Sequence, residues 1–146
     1  PEGTIKINPY TTRLHTCGNL YLLHKKCPVK ILVVDDEELD LFINQKLLSL
    51  EFQTTGFTSS KEALSWAKHN DFDVAVIDYY LGPGIYAGNL LNDLISIKGT
   101  KFRAFVVTNY IDEKQTAELK VNGFTDIINK PLTLEEFKKK LGIGTK

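Results

Sequence analysis

Charged and hydroxyl side chains stand at the ends of four of the five short apolar runs in this sequence. Asp35 and Asp36 follow the first run, Asp78 the third, Thr108 the fourth and Lys130 the fifth. If the runs are parallel strands, their carboxyl ends meet at one edge of the sheet, where open parallel sheets bind ligands. The sequence therefore predicts one site that holds three carboxylates, a hydroxyl group and an ammonium group.

The chemistry open to such a site is limited by charge. Crowded carboxylates repel one another, which raises the pKa of some of them unless a cation intervenes. Mg²⁺, a hard divalent ion that takes oxygen ligands, is the expected cation, and Lys130 supplies a further positive charge. A carboxylate beside a bound metal can attack a phosphoryl group, because the metal and the ammonium neutralise the charge on its oxygens. Thr108 is placed to donate a hydrogen bond to an attached phosphoryl group.

The elements that must position this site alternate along the chain from Lys30 onward. Apolar, β-branched runs predict strands over Lys30–Val34, Phe52–Phe57, Asp73–Ile77, Phe102–Val107 and Phe124–Ile128. Helical spacing predicts helices over Glu37–Leu50, Ser59–His69, the segment carrying Leu90–Ile95, Asp112–Gly123 and Thr133–Leu141. Five βα units need right-handed crossovers, so we expect an α/β fold with an open, doubly wound, five-stranded parallel sheet.

Two local patterns refine these predicted helices. Capping-box spacing marks three helix starts, at Ser59 with Glu62, Asp112 with Gln115, and Thr133 with Glu136. The first helix carries four apolar residues at helical spacing, and we expect them to form its buried face. These four are Leu39, Phe42, Ile43 and Leu47.

Composition narrows the class of protein. The chain has 146 residues with 18 basic and 18 acidic residues, a formal net charge of zero that gives no support for general nucleic-acid binding. Its longest aliphatic run, 31–34, is far short of a membrane span, and no signal peptide is recognisable. We therefore expect a cytoplasmic protein with no membrane contact and one domain over residues 30–146.

Residues 1–29 differ from the rest and are interpreted as a leader or linker of unknown role. They hold four basic residues and one acidic residue, a net charge of +3, which leaves −3 for residues 30–146. They also carry His15, Cys17, His24 and Cys27, which are zinc-ligand types, but the spacing matches no standard zinc finger. A linker, a vector remnant or the edge of an upstream domain fits this segment better.

Taken together, residues 30–141 resemble the receiver domain of two-component response regulators. The features that carry the resemblance are the acid pair after strand one, the lone aspartate after strand three, the threonine after strand four and the Lys-Pro pair after strand five. Each feature alone is weak, but their order along the chain is specific. The resemblance implies a flavodoxin-like sheet with strand order 2-1-3-4-5.

The resemblance also implies roles for individual residues. Asp78 would be the phosphoacceptor, and Asp35, Asp36, Asp78 and the main-chain carbonyl of Tyr80 would hold Mg²⁺, with Asp35 acting mainly through water. Thr108 and Lys130 would read the phosphoryl group, and the Lys130–Pro131 bond is often cis in this family.

The resemblance extends to partners. The phosphoryl donor would be a histidine kinase or a histidine phosphotransfer protein, and the output would be a downstream protein contact. A homodimer is compatible with the family, and direct nucleic-acid binding is not expected. The chain would not be an enzyme beyond catalysing its own phosphorylation and slow dephosphorylation. It would be a complete single-domain regulator or the receiver part of a larger one.

The sequence departs from the family pattern at several positions. Ile127 stands three residues before Lys130, where the family usually has an aromatic residue that changes position on phosphorylation. The loop after Asp78 reaches Gly88, the glycine expected to begin the next helix, about two residues later than is usual. Tyr80 and Tyr110 each lie two residues beyond a site residue, at positions that border the path of the hydrolytic water in the family. Two tyrosines there suggest slow loss of the phosphoryl group.

Two other functions remain open at this point. One is a degenerate receiver that binds partners without phosphate, which Ile127 suggests and the full set of acids, Thr108 and Lys130 opposes. The other is an aspartate-nucleophile phosphatase of the haloacid-dehalogenase type. That class places its nucleophile in an early DxD motif and its acid pair last, whereas here the acid pair comes first.

Overall fold

The computed structural model describes residues 28–109 and 112–143. Residues 1–27, with the four zinc-ligand types His15, Cys17, His24 and Cys27, lie outside the described residues, as does Tyr110. Among the helices of the described ranges, none combines the length with the apolar composition that a membrane span requires.

Five strands alternate with five helices, as the apolar runs predict. The strands are β1 Lys30–Val34, β2 Gln53–Phe57, β3 Val74–Asp78, β4 Arg103–Thr108 and β5 Asp126–Asn129. The helices are α1 Glu38–Leu48, α2 Ser60–Ala67, α3 Ala87–Lys98, α4 Glu113–Asn122 and α5 Leu134–Leu141. The predicted boundaries differ from these by one or two residues at most ends. The strand shifts make Asp78 and Thr108 the last residues of β3 and β4 rather than the residues that follow them.

The strands form one parallel sheet in the order β2-β1-β3-β4-β5, which confirms the predicted doubly wound topology. In this order β1, β3, β4 and β5 are consecutive neighbours. Those four strands are the ones that end in the predicted site residues, so the topology alone brings their carboxyl ends side by side.

Each face of the sheet is covered by its own hydrophobic core. The core under α2, α3 and α4 is centred on Leu32, Ile77 and Leu90. The core under α1 and α5 is centred on Val33 and Phe105. Alternate residues of each buried strand enter opposite cores, because side chains alternate across a strand.

The three predicted helix starts and one helix end are confirmed, but of the three only Asp112 with Gln115 forms a complete capping box. The side chains of Ser59, Asp112 and Thr133 accept hydrogen bonds from backbone N–H groups in the first turns of α2, α4 and α5. Gly123 ends α4 in the left-handed conformation, with φ 119°, which is a conformation that favours glycine.

The predicted buried face of α1 is wrong. Leu39, Phe42 and Ile43 are 68%, 58% and 51% exposed, and Leu47 is partly buried. The helix instead buries Leu41 and Leu48, which lie seven residues apart and therefore on one face. Because α1 carries apolar residues around most of its circumference, the periodicity of the sequence does not predict which face is buried. The choice is made by the rotation that docks Leu41 and Leu48 in the core under α1 and α5.

Candidate functional site

The carboxyl edge of the sheet gathers the predicted site residues from four neighbouring strands. Asp35 follows β1, and its backbone N–H donates to the Phe57 carbonyl of β2 at 3.2 Å. Asp78 ends β3 and Thr108 ends β4. Lys130 follows β5, and its backbone N–H donates to the Thr108 carbonyl at 2.8 Å, so the sheet pairing continues into the site.

Three carboxylates converge at this edge. One oxygen from each of Asp35, Asp36 and Asp78 lies within 4.8 Å of the other two. Asp35 is 2% exposed and Asp78 is 8% exposed, while Asp36 is half-buried. The Glu37 backbone N–H donates to Asp35 Oδ1 at 3.0 Å and thereby orients that carboxylate. Three converging carboxylate oxygens make a donor set that fits a hard divalent cation such as Mg²⁺ or Ca²⁺.

The protein environment raises the pKa of two of these carboxylates when no cation is bound. Burial raises the pKa of Asp35 to about 6, and the nearby charges of Asp78 and Asp40 add to the rise, against the Glu37 N–H and Lys130, which lower it. Burial also raises the pKa of Asp78, despite the hydrogen bond and the charge of Lys130. Both shifts are typical of functional carboxylates that share a desolvated site.

Lys130 is the cation of the site. Its Nζ lies 2.8 Å from Asp78 Oδ1 and 3.4 Å from Asp40 Oδ2. Burial lowers the pKa of Lys130, but its hydrogen bond to Asp78 and the charges of Asp78, Asp35 and Asp40 outweigh burial, so the pKa is raised overall. Lys130 therefore remains charged at neutral pH. The bond between Lys130 and Pro131 is cis, as the resemblance implied.

Thr108 is a buried residue at the end of β4, in register with Asn129 of β5. The neighbouring position on β4, Val107, pairs with Asp78 and accepts a hydrogen bond from the Tyr79 N–H at 2.9 Å. This register sets Thr108 one residue beyond Asp78, at the same edge of the sheet. The hydroxyl group is thus on the strand next to the predicted phosphoacceptor.

A group of tyrosines borders the site on the loop between β3 and α3. Tyr80 and Tyr86 are exposed and face each other across an isolated antiparallel bridge, with ring centroids 5.6 Å apart. The ring of Tyr79 packs 5.5 Å from Tyr86 and reaches the core under α2, α3 and α4. This loop leads directly into α3, which begins at Ala87, one residue before the predicted Gly88.

Asp40 is a site residue that the sequence reasoning missed. It lies on the first turn of α1, and its carboxylate contacts the Lys130 ammonium. Its position in the first turn of a helix that begins just after the acid pair was a usable signal, because that turn lies close to the carboxyl edge of the sheet.

Comparisons with known proteins agree with this geometry. Residues 31–142 match the family model of the response regulator receiver domain. No match is found among curated proteins.

Solved structures of receiver domains have the same fold. A receiver domain protein from Methanospirillum hungatei JF-1 is 23% identical with a TM-score of 0.69, over 80% of this chain and 95% of its own. The receiver domain of Francisella response regulator 1452 is 26% identical with a TM-score of 0.66, over 80% and 94%. A response regulator from Burkholderia pseudomallei, solved with a phosphorylated aspartic acid, a calcium ion and citrate, is 22% identical with a TM-score of 0.67, over 77% and 66%.

The family match covers all five strands but the first residue of β1, and all five helices of the described fold. It also favours the receiver interpretation over the haloacid-dehalogenase alternative. This chain belongs to the response regulator receiver domain family of two-component signalling.

Proposed function

We propose that the chain is a phosphorylation switch in which Asp78 accepts a phosphoryl group in the presence of Mg²⁺. The donor is the phosphohistidine of a histidine kinase or of a histidine phosphotransfer protein. The product is a receiver with an altered surface for a downstream protein partner.

One observation carries this proposal: the last residue of β3 is a buried carboxylate held between two other acids and an ammonium group. Asp78 has Lys130 at 2.8 Å, and Asp35 and Asp36 lie within a metal-binding distance of it. A structural ion pair would need only Asp78 and Lys130. Burial raises the pKa of Asp35, so its ionised carboxylate costs stability without a cation. A second acid, Asp36, converges on the same point, and this favours a functional metal site.

The transfer itself is a displacement at phosphorus. An Asp78 carboxylate oxygen forms a bond to phosphorus while the bond from phosphorus to the donor imidazole nitrogen breaks. The imidazole keeps the electron pair of that bond and takes up a proton, and Asp78 becomes an acyl phosphate. Lys130 neutralises charge on the transferred group, and the Thr108 hydroxyl group donates to one of its oxygens.

The divalent cation would be held by Asp35, Asp36 and Asp78 together with the Tyr80 main-chain carbonyl. When bound, Mg²⁺ supplies positive charge that offsets the phosphoryl oxygens. The bridge geometry supports the Tyr80 assignment. The two hydrogen bonds of the Tyr80–Tyr86 bridge are made by the flanking residues. They run from the Ala87 N–H to the Tyr79 carbonyl and from the Leu81 N–H to the Ile85 carbonyl. The main-chain groups of Tyr80 therefore point away from the Tyr86 segment.

The output pathway of this switch differs from the family pattern at one position. Ile127 pairs with Val106 on β4 and packs against the core under α2, α3 and α4. An aliphatic side chain there provides no ring to change position on phosphorylation. We propose that Thr108 and Lys130 transmit the signal through the ends of β4 and β5 instead.

A small phosphodonor tests the proposed function. Wild-type chain treated with phosphoramidate and Mg²⁺ should gain the mass of one phosphoryl group, and EDTA should prevent the gain. Asp78→Asn should gain nothing, while Asp93→Asn, a matched change at an exposed position of α3, should behave as wild type. A wild-type chain that takes up no phosphoryl group and does not bind beryllofluoride would instead favour the phosphate-independent interaction module.

The two tyrosines lead to a prediction about the lifetime of the phosphorylated form. Tyr80 is an exposed residue two positions after Asp78, and Tyr110 stands two residues after Thr108 in the sequence. If their rings shield the phosphoryl group from water, Tyr80→Asn/Tyr110→Glu should lose phosphate about fivefold faster, equivalent to about 1 kcal/mol in the activation barrier. The half-life of purified phosphorylated protein measures this. An unchanged half-life in the double variant would contradict the shielding role.

A further inference from the structure

The ammonium group of Lys130 is shared by two carboxylates that come from different parts of the chain. Asp78 lies 2.8 Å from Nζ and Asp40 lies 3.4 Å from it. An ammonium group has three N–H donors, so both contacts form at once. Asp40 is thus a fourth carboxylate at the site, and it belongs to α1 rather than to the carboxyl end of a strand.

The contact differs from an ordinary surface ion pair. Exposed pairs contribute little, because water screens the charges and two long side chains must be ordered. Here the lysine side chain is only 21% exposed, and a second contact with Asp78 already holds it in place. The shorter Asp40 side chain is fixed to the first turn of α1, where the positive end of the helix dipole favours an acid. Asp40 therefore acts on a lysine whose position is already defined.

The charge of Asp40 has opposite consequences for the two ligands of the proposed switch. With Asp40 counted, four carboxylates face one ammonium group, a local charge of −3 that attracts a divalent cation. Phosphorylation replaces the single charge of Asp78 with a phosphoryl group that carries about two negative charges. The Lys130 ammonium must then bind the phosphoryl oxygens. Asp40 repels the phosphoryl group and also competes with it for the same ammonium.

We propose that Asp40 is a positioning residue that restrains Lys130 in the unphosphorylated state, tightening cation binding and weakening retention of the phosphoryl group. This inference rests on the proposed function of Asp78. It makes α1 a contributor to the balance between the two states of the switch. A purely structural acid on α1 would stabilise the helix and would leave both affinities unchanged.

Three variants separate these effects. Asp40→Asn removes the charge with almost no change in shape, and Asp40→Glu restores the charge. Glu38→Gln removes an exposed acid from the same first turn and serves as the control for general electrostatics. The two measurements are the Mg²⁺ affinity by titration calorimetry and the beryllofluoride affinity at saturating Mg²⁺.

Asp40→Asn should bind Mg²⁺ about threefold more weakly and beryllofluoride about threefold more tightly, shifts of a size expected for one partly solvated charge. Asp40→Glu should return both affinities toward wild type, and Glu38→Gln should change each of them less. Changes of opposite sign in the two affinities exclude partial unfolding, because partial unfolding weakens the binding of both ligands. Unchanged affinities, shifts in the same direction, or an equal effect of Glu38→Gln would overturn the role of Asp40. A wild-type chain that binds neither ligand would overturn the proposed function as well.

Discussion

Asp35→Asn should make the metal-free protein more stable at neutral and alkaline pH. Burial raises the pKa of Asp35 to about 6 from a usual value of 3.8. Ionised Asp35 therefore costs the folded state about 3 kcal/mol at pH 8, by the conversion of one pKa unit to 1.36 kcal/mol. An asparagine avoids this cost, and its side-chain oxygen can still accept the hydrogen bond from the Glu37 N–H.

The pH dependence of this gain has a defined sign. Because the pKa of Asp35 is raised on folding, its favourable contribution is present in full below about pH 4 and is lost as the pH rises through about 6. In urea unfolding of the metal-free protein, the free energy of unfolding of Asp35→Asn should therefore exceed that of wild type clearly at pH 8. The difference should be about half as large at pH 5 and should vanish below pH 4. The exposed Asp93→Asn serves as the control.

Mg²⁺ should reduce the difference in stability between Asp35→Asn and wild type. The ion binds the folded state and stabilises it by mass action, and the variant lacks one of the carboxylates that attract it. Saturating Mg²⁺ should raise the unfolding midpoint of wild type more than that of Asp35→Asn. A variant that is less stable than wild type at pH 8 without metal would show that Asp35 is a structural acid.

Lys130→Met should slow phosphorylation at Asp78 and shift it to higher pH. Burial already raises the pKa of Asp78, and the hydrogen bond and charge of Lys130 are the main contributions that lower it. Without the ammonium the pKa rises further, so the nucleophilic carboxylate forms only at higher pH. The transferred group also loses a neutralising charge. We expect a rate at pH 7 about tenfold lower, equivalent to about 1.4 kcal/mol.

The measurement is the rate of mass gain from phosphoramidate as a function of pH, at a Mg²⁺ concentration well below saturation so that the ion does not hold Asp78 ionised. Lys130→Arg keeps the charge and should recover part of the rate. Lys138→Met is the matched control, because the Lys138 side chain is exposed to a similar extent and its Nζ pairs with Glu51 Oε1 at a distance of 2.7 Å. Its partner is thus Glu51 and not Asp78. A wild-type rate and pH profile in Lys130→Met would contradict the role given to the ammonium group.

The carboxyl edge of the sheet could be predicted from sequence because strand topology does most of the positioning. Once β1, β3, β4 and β5 are neighbours, any polar residue at their ends lies at one edge, whatever its side-chain contacts. The strand topology therefore brings the aspartates at 35, 36 and 78 to the same edge, where their carboxylates converge. The capped helix starts were predictable for a similar reason, since a cap depends on residues three positions apart.

Features that depend on the rotation of a helix were not predictable. The face of α1 is decided by the fit of Leu41 and Leu48 into a core that includes residues from β4 and α5. The same rotation directs Asp40 to Lys130, ninety positions away in the sequence. Helical spacing alone favoured the exposed set of Leu39, Phe42 and Ile43, because α1 has apolar residues around most of its circumference.

The central claim is that Asp78 is the residue that carries the phosphoryl group. Borohydride reduces an acyl phosphate to an alcohol and so converts a phosphorylated aspartate into homoserine. Wild-type chain treated with phosphoramidate and Mg²⁺, reduced and mapped by peptide mass spectrometry, should contain homoserine at position 78 and aspartate at positions 35, 36 and 40. Homoserine at another aspartate, or none after full treatment, would contradict the account.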